Sequence, residues 1–405
     1  MHAALVARFF RARLARIFEQ EDAPGRIASM EGARGLAIAL VFFVHYRALF
    51  IDYVPEASLT HGILVFLGNI GNSGVDLFFV LSGFLIYGAV IKKTVKFLTF
   101  MRRRVQRIYP TFLVVFALYV ALSIVMPSEN KIPTSLGGGA LYLFENLCLL
   151  PGMFDIVPMI TVAWSLSFEF FYYLFVPILV GLTRMRSWPQ PVRILFFLAA
   201  TALGFYAAVS LEFTQARLLM FISGILLYEA RNVAPLRTRV LEKLGPNGDL
   251  GAIFGLLLTL VISYVLERQQ EYVEFLPRIR ELGGVYRIGT LYVGFFFFTL
   301  FCFAYDGRLR RAFSLTPLRW MGNISYSYYM IHGLALKAMQ VVIVRVHAQT
   351  HADSWLAWAL LLPVFFGTLL AATALYMLIE RPFSLAVAGP KEKASSTHDL
   401  SPVRP

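Results

Sequence analysis

The chain is predicted to be an all-α polytopic membrane protein with about ten transmembrane helices and both termini in the cytoplasm. Three observations predict it. Hydrophobic residues make up 58% of the 405 and charged residues only 15%, with a mean hydropathy of +0.66. That composition leaves too little polar surface to cover a soluble domain. The apolar residues gather in stretches long enough, at about 1.5 Å per helical residue, to cross a hydrocarbon core of about 30 Å. The basic residues favour alternate connecting segments. Six lie in 1–34 and seven in 92–107, and the six segments on that side hold 28 of the 37 Lys and Arg, which by the positive-inside bias puts the N-terminus in the cytoplasm.

In chain order the expected spans are 33–51, 73–91, 109–126, 163–182, 194–211, 216–230, 251–266, 286–305, 320–344 and 355–379, the sixth and seventh being short. No repeat or linker divides them, so one integral domain is expected over 29–386. The basic, partly amphipathic segment 1–28 is expected on the inner leaflet. It lacks the uninterrupted apolar core of a cleavable signal peptide. The polar, Pro-containing tail 387–405 is expected to be disordered. A net charge of +13 fits cytoplasmic loops facing acidic lipid headgroups, and no nucleic-acid-binding motif accompanies it. Cys148 and Cys302 fall near opposite faces, so neither a disulfide nor a thiolate metal site is expected.

The first span carries two ionisable residues, Arg34 at one end and His45 well inside. Eleven residues at about 100° each bring both to one helical face, roughly 16 Å apart along the axis. This is either the layout of a tunnel with an anion-binding mouth and a chemical centre, or a membrane-edge anchor and a satisfied histidine. Counting residues in from the membrane faces assigns His45, Asp76, Glu169 and His332 to one layer in the outer half. Two carboxylates and two imidazoles there would form a general acid–base kit. Asp76 also reads as a helix N-cap, with Asn72, Ser73 and Gly74 as rivals for that position, and Glu169 as a structural partner for Tyr172, Tyr173 or another helix. His332, Ser325 and Tyr326 read equally as interhelical hydrogen-bonding groups. On the cytoplasmic side Arg104 and Arg107 share a helical face, and with Arg34 and Arg319 they would suit phosphate oxygens. Arg102 and Arg103 read as topology signals.

These motifs resemble those of the membrane-bound acyltransferase 3 family, which includes bacterial O-acyltransferases of surface glycans and nodulation-type acetyltransferases. The resemblance runs from about residue 29 to 382. It rests on Arg34-x10-His45, G-V-D-L-F-F-V-L-S-G-F-L-I at 74–86, R-V-Q-R-I-Y-P at 104–110, W-S-L-S-F-E-F-F-Y-Y at 164–173, I-S-Y-S-Y-Y-M-I-H at 324–332 and Glu380-Arg381-Pro382. It implies an acyl-CoA donor, usually acetyl-CoA, with His45 as catalytic base and Arg34, Arg104 and Arg107 at the donor site. Asp76, Glu169 and His332 are then supporting groups, with no tightly bound cofactor. The acceptor would be a hydroxyl of a glycan or small molecule, and the location the bacterial inner membrane. The esterase-like domain that many members carry is not expected after the last span. Intramembrane charges alone also allow a proton-coupled exporter of a small molecule or glycan precursor. Asp76 or Glu169 is expected to orient His45, and Glu380 to pair with its neighbour Arg381.

Overall fold

The computed structural model describes residues 14–15, 17–19, 26–210, 215–272, 277–350 and 354–385, with the side chains of 128, 237, 268–272, 277–282, 345–350 and 354 left aside. The expected tail and most of the N-terminal segment lie outside the described residues. Within them the chain is helical, and nine helical stretches are long and apolar enough to cross a membrane.

The organising element is α1 (Ala28–Phe50). It packs against α2 (Leu59–Gly71) and α3 (Ser73–Ile91), which run on with only a turn at Asn72 between them, so Leu59–Ile91 forms one long antiparallel partner. The sequence reading had left 59–71 as an outer connection. Its apolar residues instead lie against α1, with Leu64 and Val65 buried. α4 (Phe97–Val125) and the short α5 (Leu136–Leu147) lead to α6 (Trp164–Leu182), α7 (Gln190–Ser210) and α8 (Leu219–Arg231). Next come α9 (Glu242–Tyr272), bent at Gly245, and α10 (Pro277–Ala304). Two short helices, α11 (Arg308–Phe313) and α12 (Thr316–Asn323), lie against α1 before α13 (Ser325–Thr350) and α14 (Ser354–Leu375). The last helix continues through Tyr376–Leu385 in wider π-helical turns around Pro382.

The sixth expected span is α8, and it is too short at 13 residues to cross a hydrocarbon core by itself. It does not need to, because Leu219–Met220–Phe221 and Ser223–Glu229 are buried by protein. It runs parallel to α3, with Arg217 just before it against Asp76 and Glu229 near its end against Tyr87. Glycines make this closeness possible. A side chain at Gly83 would collide with the Phe221 carbonyl, and one at Gly224 with the Val80 carbonyl. Small residues at such crossings are the usual device of membrane helix packing. Outward-facing apolar residues such as Leu118, Ile178, Leu195 and Leu370 remain exposed and form a surface suited to lipid.

Candidate functional site

A cavity opens between α1, α3, α4, α6 and α13. Its polar end holds Arg34, Arg104, Arg107, Glu169, Ser82 and Tyr173, and its other end Val75, Phe78, Ser165 and Tyr329. A second cavity shares Arg34 and Leu85 with the first and continues to Arg26, Glu31 and Asn323.

The three arginines are held differently. Arg34 has no hydrogen bond or ion pair among the described residues. Arg104 lies over two rings, 4.9 Å from the Phe100 centroid and 5.0 Å from that of Tyr173, which fixes the guanidinium without consuming its donors. Arg107 points one nitrogen at Glu380 Oε1, 3.0 Å away, while Nη1 is buried with no hydrogen-bond partner. Glu169 Oε1 accepts from Ser82 Oγ at 3.1 Å and from Tyr173 OH at 2.5 Å. The polar end thus offers three guanidiniums against two carboxylates, Glu169 and Glu380, with guanidinium donors to spare for an anion.

Beyond Tyr329 lie the imidazoles. The rings of Tyr329 and His332 are 5.9 Å apart, and those of His332 and His45 are 4.7 Å apart, edge to face. His332 is fully buried. Its Nδ1 faces two carbonyl oxygens, Tyr328 O at 3.0 Å and Tyr329 O at 2.9 Å. Two acceptors assign the proton to Nδ1 and leave Nε2 as a bare acceptor, and that Nε2 has no partner. His45 is half-buried and makes no side-chain hydrogen bond among the described residues.

The expected four-residue layer is therefore corrected. His45 and His332 do meet. Glu169 belongs to the Arg34 end, bonded to Tyr173 as one of its alternatives held. Asp76 lies elsewhere, fully buried, with Arg217 Nε 3.4 Å and Arg287 Nη2 3.9 Å from its two oxygens. Arg287 also approaches Glu267 and donates to Ser263 Oγ. Distance along a helix gives height but not azimuth, and the azimuth of Asp76 turns it toward α8 and α10. Neither carboxylate hydrogen-bonds His45. Arg319 is likewise outside the cavity, its Nε 3.0 Å from Glu31 Oε2, with Arg26 on the other oxygen. Glu380 was expected to pair with Arg381. It is fully buried, faces Arg107, and accepts from Ser327 N at 3.1 Å and Ser327 Oγ at 2.5 Å. The sequence reading gave no wall role to Tyr329 or Ser82. A helical projection of 82, 85 and 86 with 326 and 329 was the signal that could have found them. Among the described residues no cluster suits a metal ion, and both cysteines are free.

A multi-pass helical membrane protein with an arginine-lined cavity and an imidazole pair behind its Tyr329 wall is the class that this geometry defines. The chain belongs to the acyltransferase 3 family: the family's model, described as an acyltransferase domain, matches residues 27–377. It is 28% identical to the exopolysaccharide production protein ExoZ of Rhizobium meliloti over 329 residues, 78% of this chain and 90% of that protein. It is 35% identical to the acyltransferase MdmB of Streptomyces mycarofaciens over 193 residues, 45% of each chain. It is 22% identical to the O-acetyltransferase OatA of Staphylococcus aureus over 339 residues, 78% of this chain and 51% of that protein. The match thus spans about half the length of the last two. No solved structure matches the chain.

Proposed function

We propose that this protein moves an acyl group, most simply acetyl, from cytoplasmic acyl-CoA to a hydroxyl of an extracytoplasmic or lipid-linked glycan across the bacterial inner membrane. The observation that carries the reading is the cavity with Arg34, Arg104 and Arg107 at one end and Tyr329 at the other, the His45–His332 pair lying behind Tyr329. Phosphates of the donor rest on the guanidiniums. An extended pantetheine arm is on the order of the roughly 16 Å between Arg34 and His45, so the thioester reaches the imidazoles while the nucleotide stays at the inner surface. His45 takes the acceptor's proton as the hydroxyl oxygen attacks the thioester carbonyl. The new C–O bond forms, the C–S bond breaks, and the proton passes to the departing thiolate, giving an ester and free CoA. His332 is a positioning residue in this reading. During turnover its Nε2, unpartnered in this structure, would accept a hydrogen bond from one His45 nitrogen and leave the other free as base, the part a carboxylate plays in a Ser-His-Asp triad. Asp76 and Arg319 act through structure rather than contact with substrate. The glycan acceptor draws on the names of the relatives in polysaccharide production and O-acetylation.

The test uses the whole protein in proteoliposomes with acetyl-CoA. The expected result is release of CoA thiol together with acetyl transfer to a glycan fraction, with weaker binding of dephospho-CoA than of CoA. A protein that neither binds CoA nor cleaves its thioester overturns the reading. Thioester cleavage also separates it from an exporter, which would leave the bond intact.

A further inference from the structure

In the acyl-transfer reading the pantetheine arm fills the first cavity, and the second has no occupant. The second holds about 520 Å³ of empty space, open solvent included, within the range of about 300–1,000 Å³ usual for small-molecule sites. One wall is the start of α1, where Ile27, Met30, Glu31 and Arg34 share a helical face about 10 Å long. Phe84 and Leu85 of α3 form another wall, and Asn323, the last residue of α12, a third. A side chain at Gly322 would collide with the Glu31 carbonyl, so the glycine lets α12 approach α1 closely enough to bring Asn323 into the wall with Glu31. The polar groups are held but not used up. Asn323 Oδ1 accepts from Arg26 Nη2 at 3.1 Å, and its Nδ2 donates to Phe18 O at 2.8 Å. A carboxamide offers two donors and two acceptor positions, so one of each remains. Glu31 is buried between Arg26 and Arg319. Its Oε1 touches Arg26 in an ion pair but accepts no hydrogen bond among the described residues. Two guanidiniums against one carboxylate leave a net positive charge, and Arg34, common to both cavities, adds to it.

We propose that the second cavity is the site for the adenosine end of the donor. The purine lies between Ile27 and Met30 on one side and Phe84 and Leu85 on the other. Its amino edge meets the remaining donor and acceptor of Asn323, the bidentate pairing by which a carboxamide reads adenine. Glu31 Oε1 is a second acceptor for the amine. The diphosphate stays on Arg34, where the cavities adjoin, and the 3′-phosphate of the ribose meets the positive charge around Arg26. Other occupants fit less of the wall. A bare phosphate would use the guanidiniums and leave four apolar side chains uncovered, and an acyl chain would cover those and strand Glu31 and Asn323. The placement rests on the acyl-CoA reading and extends it from the thioester arm to the nucleotide.

The experiment titrates the full-length protein in detergent with CoA and with its inosine analogue, in which a carbonyl oxygen replaces the purine amine. The analogue presents an acceptor where the amine donates, so binding about tenfold weaker is expected. Equal affinities overturn the proposal. A second arm uses Met30→Trp, which puts bulk into the second cavity at a residue that does not line the first. It is expected to weaken CoA binding about tenfold. Cleavage of S-acetyl phosphopantetheine, a donor without the nucleotide, is expected to stay near the parent rate. Unchanged CoA affinity in this variant also overturns the proposal. A variant that loses both has lost its fold, and the inosine analogue then decides alone. A parent that binds no CoA sinks the acyl-CoA reading itself, whereas a parent that binds CoA and ignores the base sinks only the placement of the nucleotide.

Discussion

His45 and His332 stand as a pair with no carboxylate bonded to either among the described residues. Removing each should therefore have a different signature. His45→Ala is expected to lower acyl transfer by about 10²–10⁴ with the protein still inserted and CoA still bound. His332→Ala should lower kcat and leave the KM for acetyl-CoA nearly unchanged, because a group that orients the base acts on the chemical step. Steady-state kinetics in proteoliposomes checks both, and activity within a few-fold of the parent in His45→Ala would remove it as base. His45 was legible because a polar residue in an apolar stretch is conspicuous. The partner of Asp76 was not, since Arg217 and Arg287 come from distant helices whose rotation no local pattern encodes.

The wide turns of Tyr376–Leu385 matter at the scale of elements. They bring Glu380 inward to Arg107 and Ser327, joining α4, α13 and the last helix beneath the cavity. Glu380→Ala would leave Arg107 beside an empty site, and breaking such a buried pair costs roughly 3–5 kcal/mol. A clear fall in Tm in detergent is expected, with partial recovery in the Arg107→Ala/Glu380→Ala double variant. Arg104 is the contrast. Its contacts are ring faces, worth about 0.5–2 kcal/mol, so Arg104→Ala should weaken CoA binding, read by titration, more than it lowers Tm. Unchanged affinity would leave Arg104 as a topology signal only. Sequence spacing joined Arg104 to Arg107, and the cavity brings Arg34 beside them. Arg319 was misjudged because a basic residue at a membrane edge looks the same whether it awaits a ligand or already holds Glu31.

For the whole molecule, the fold class was legible from composition and the span count nearly so, because apolar length is a one-dimensional property. The basic-residue bias yields a further expectation, checked by fusions after residue 405. A green fluorescent protein fused there should fluoresce, and an alkaline phosphatase fused there should be inactive; the reverse pattern would invert the orientation. The short α8 escaped length-based reading because burial in protein relaxes the thickness rule. That burial has a consequence for biogenesis. A 13-residue segment partitions poorly into lipid alone, since it is too short to cross the hydrocarbon core. Glu229 finds its counter-charge in Arg193 at the start of α7, with bonds of 2.6 and 3.1 Å, and a hydroxyl in Tyr87 of α3. The two helices are consecutive in the chain, so their charges can neutralise each other as one hairpin before it docks on α3. A lesion at Arg193, far from the imidazoles, would appear as a protein that never reaches the membrane intact rather than as a slow enzyme.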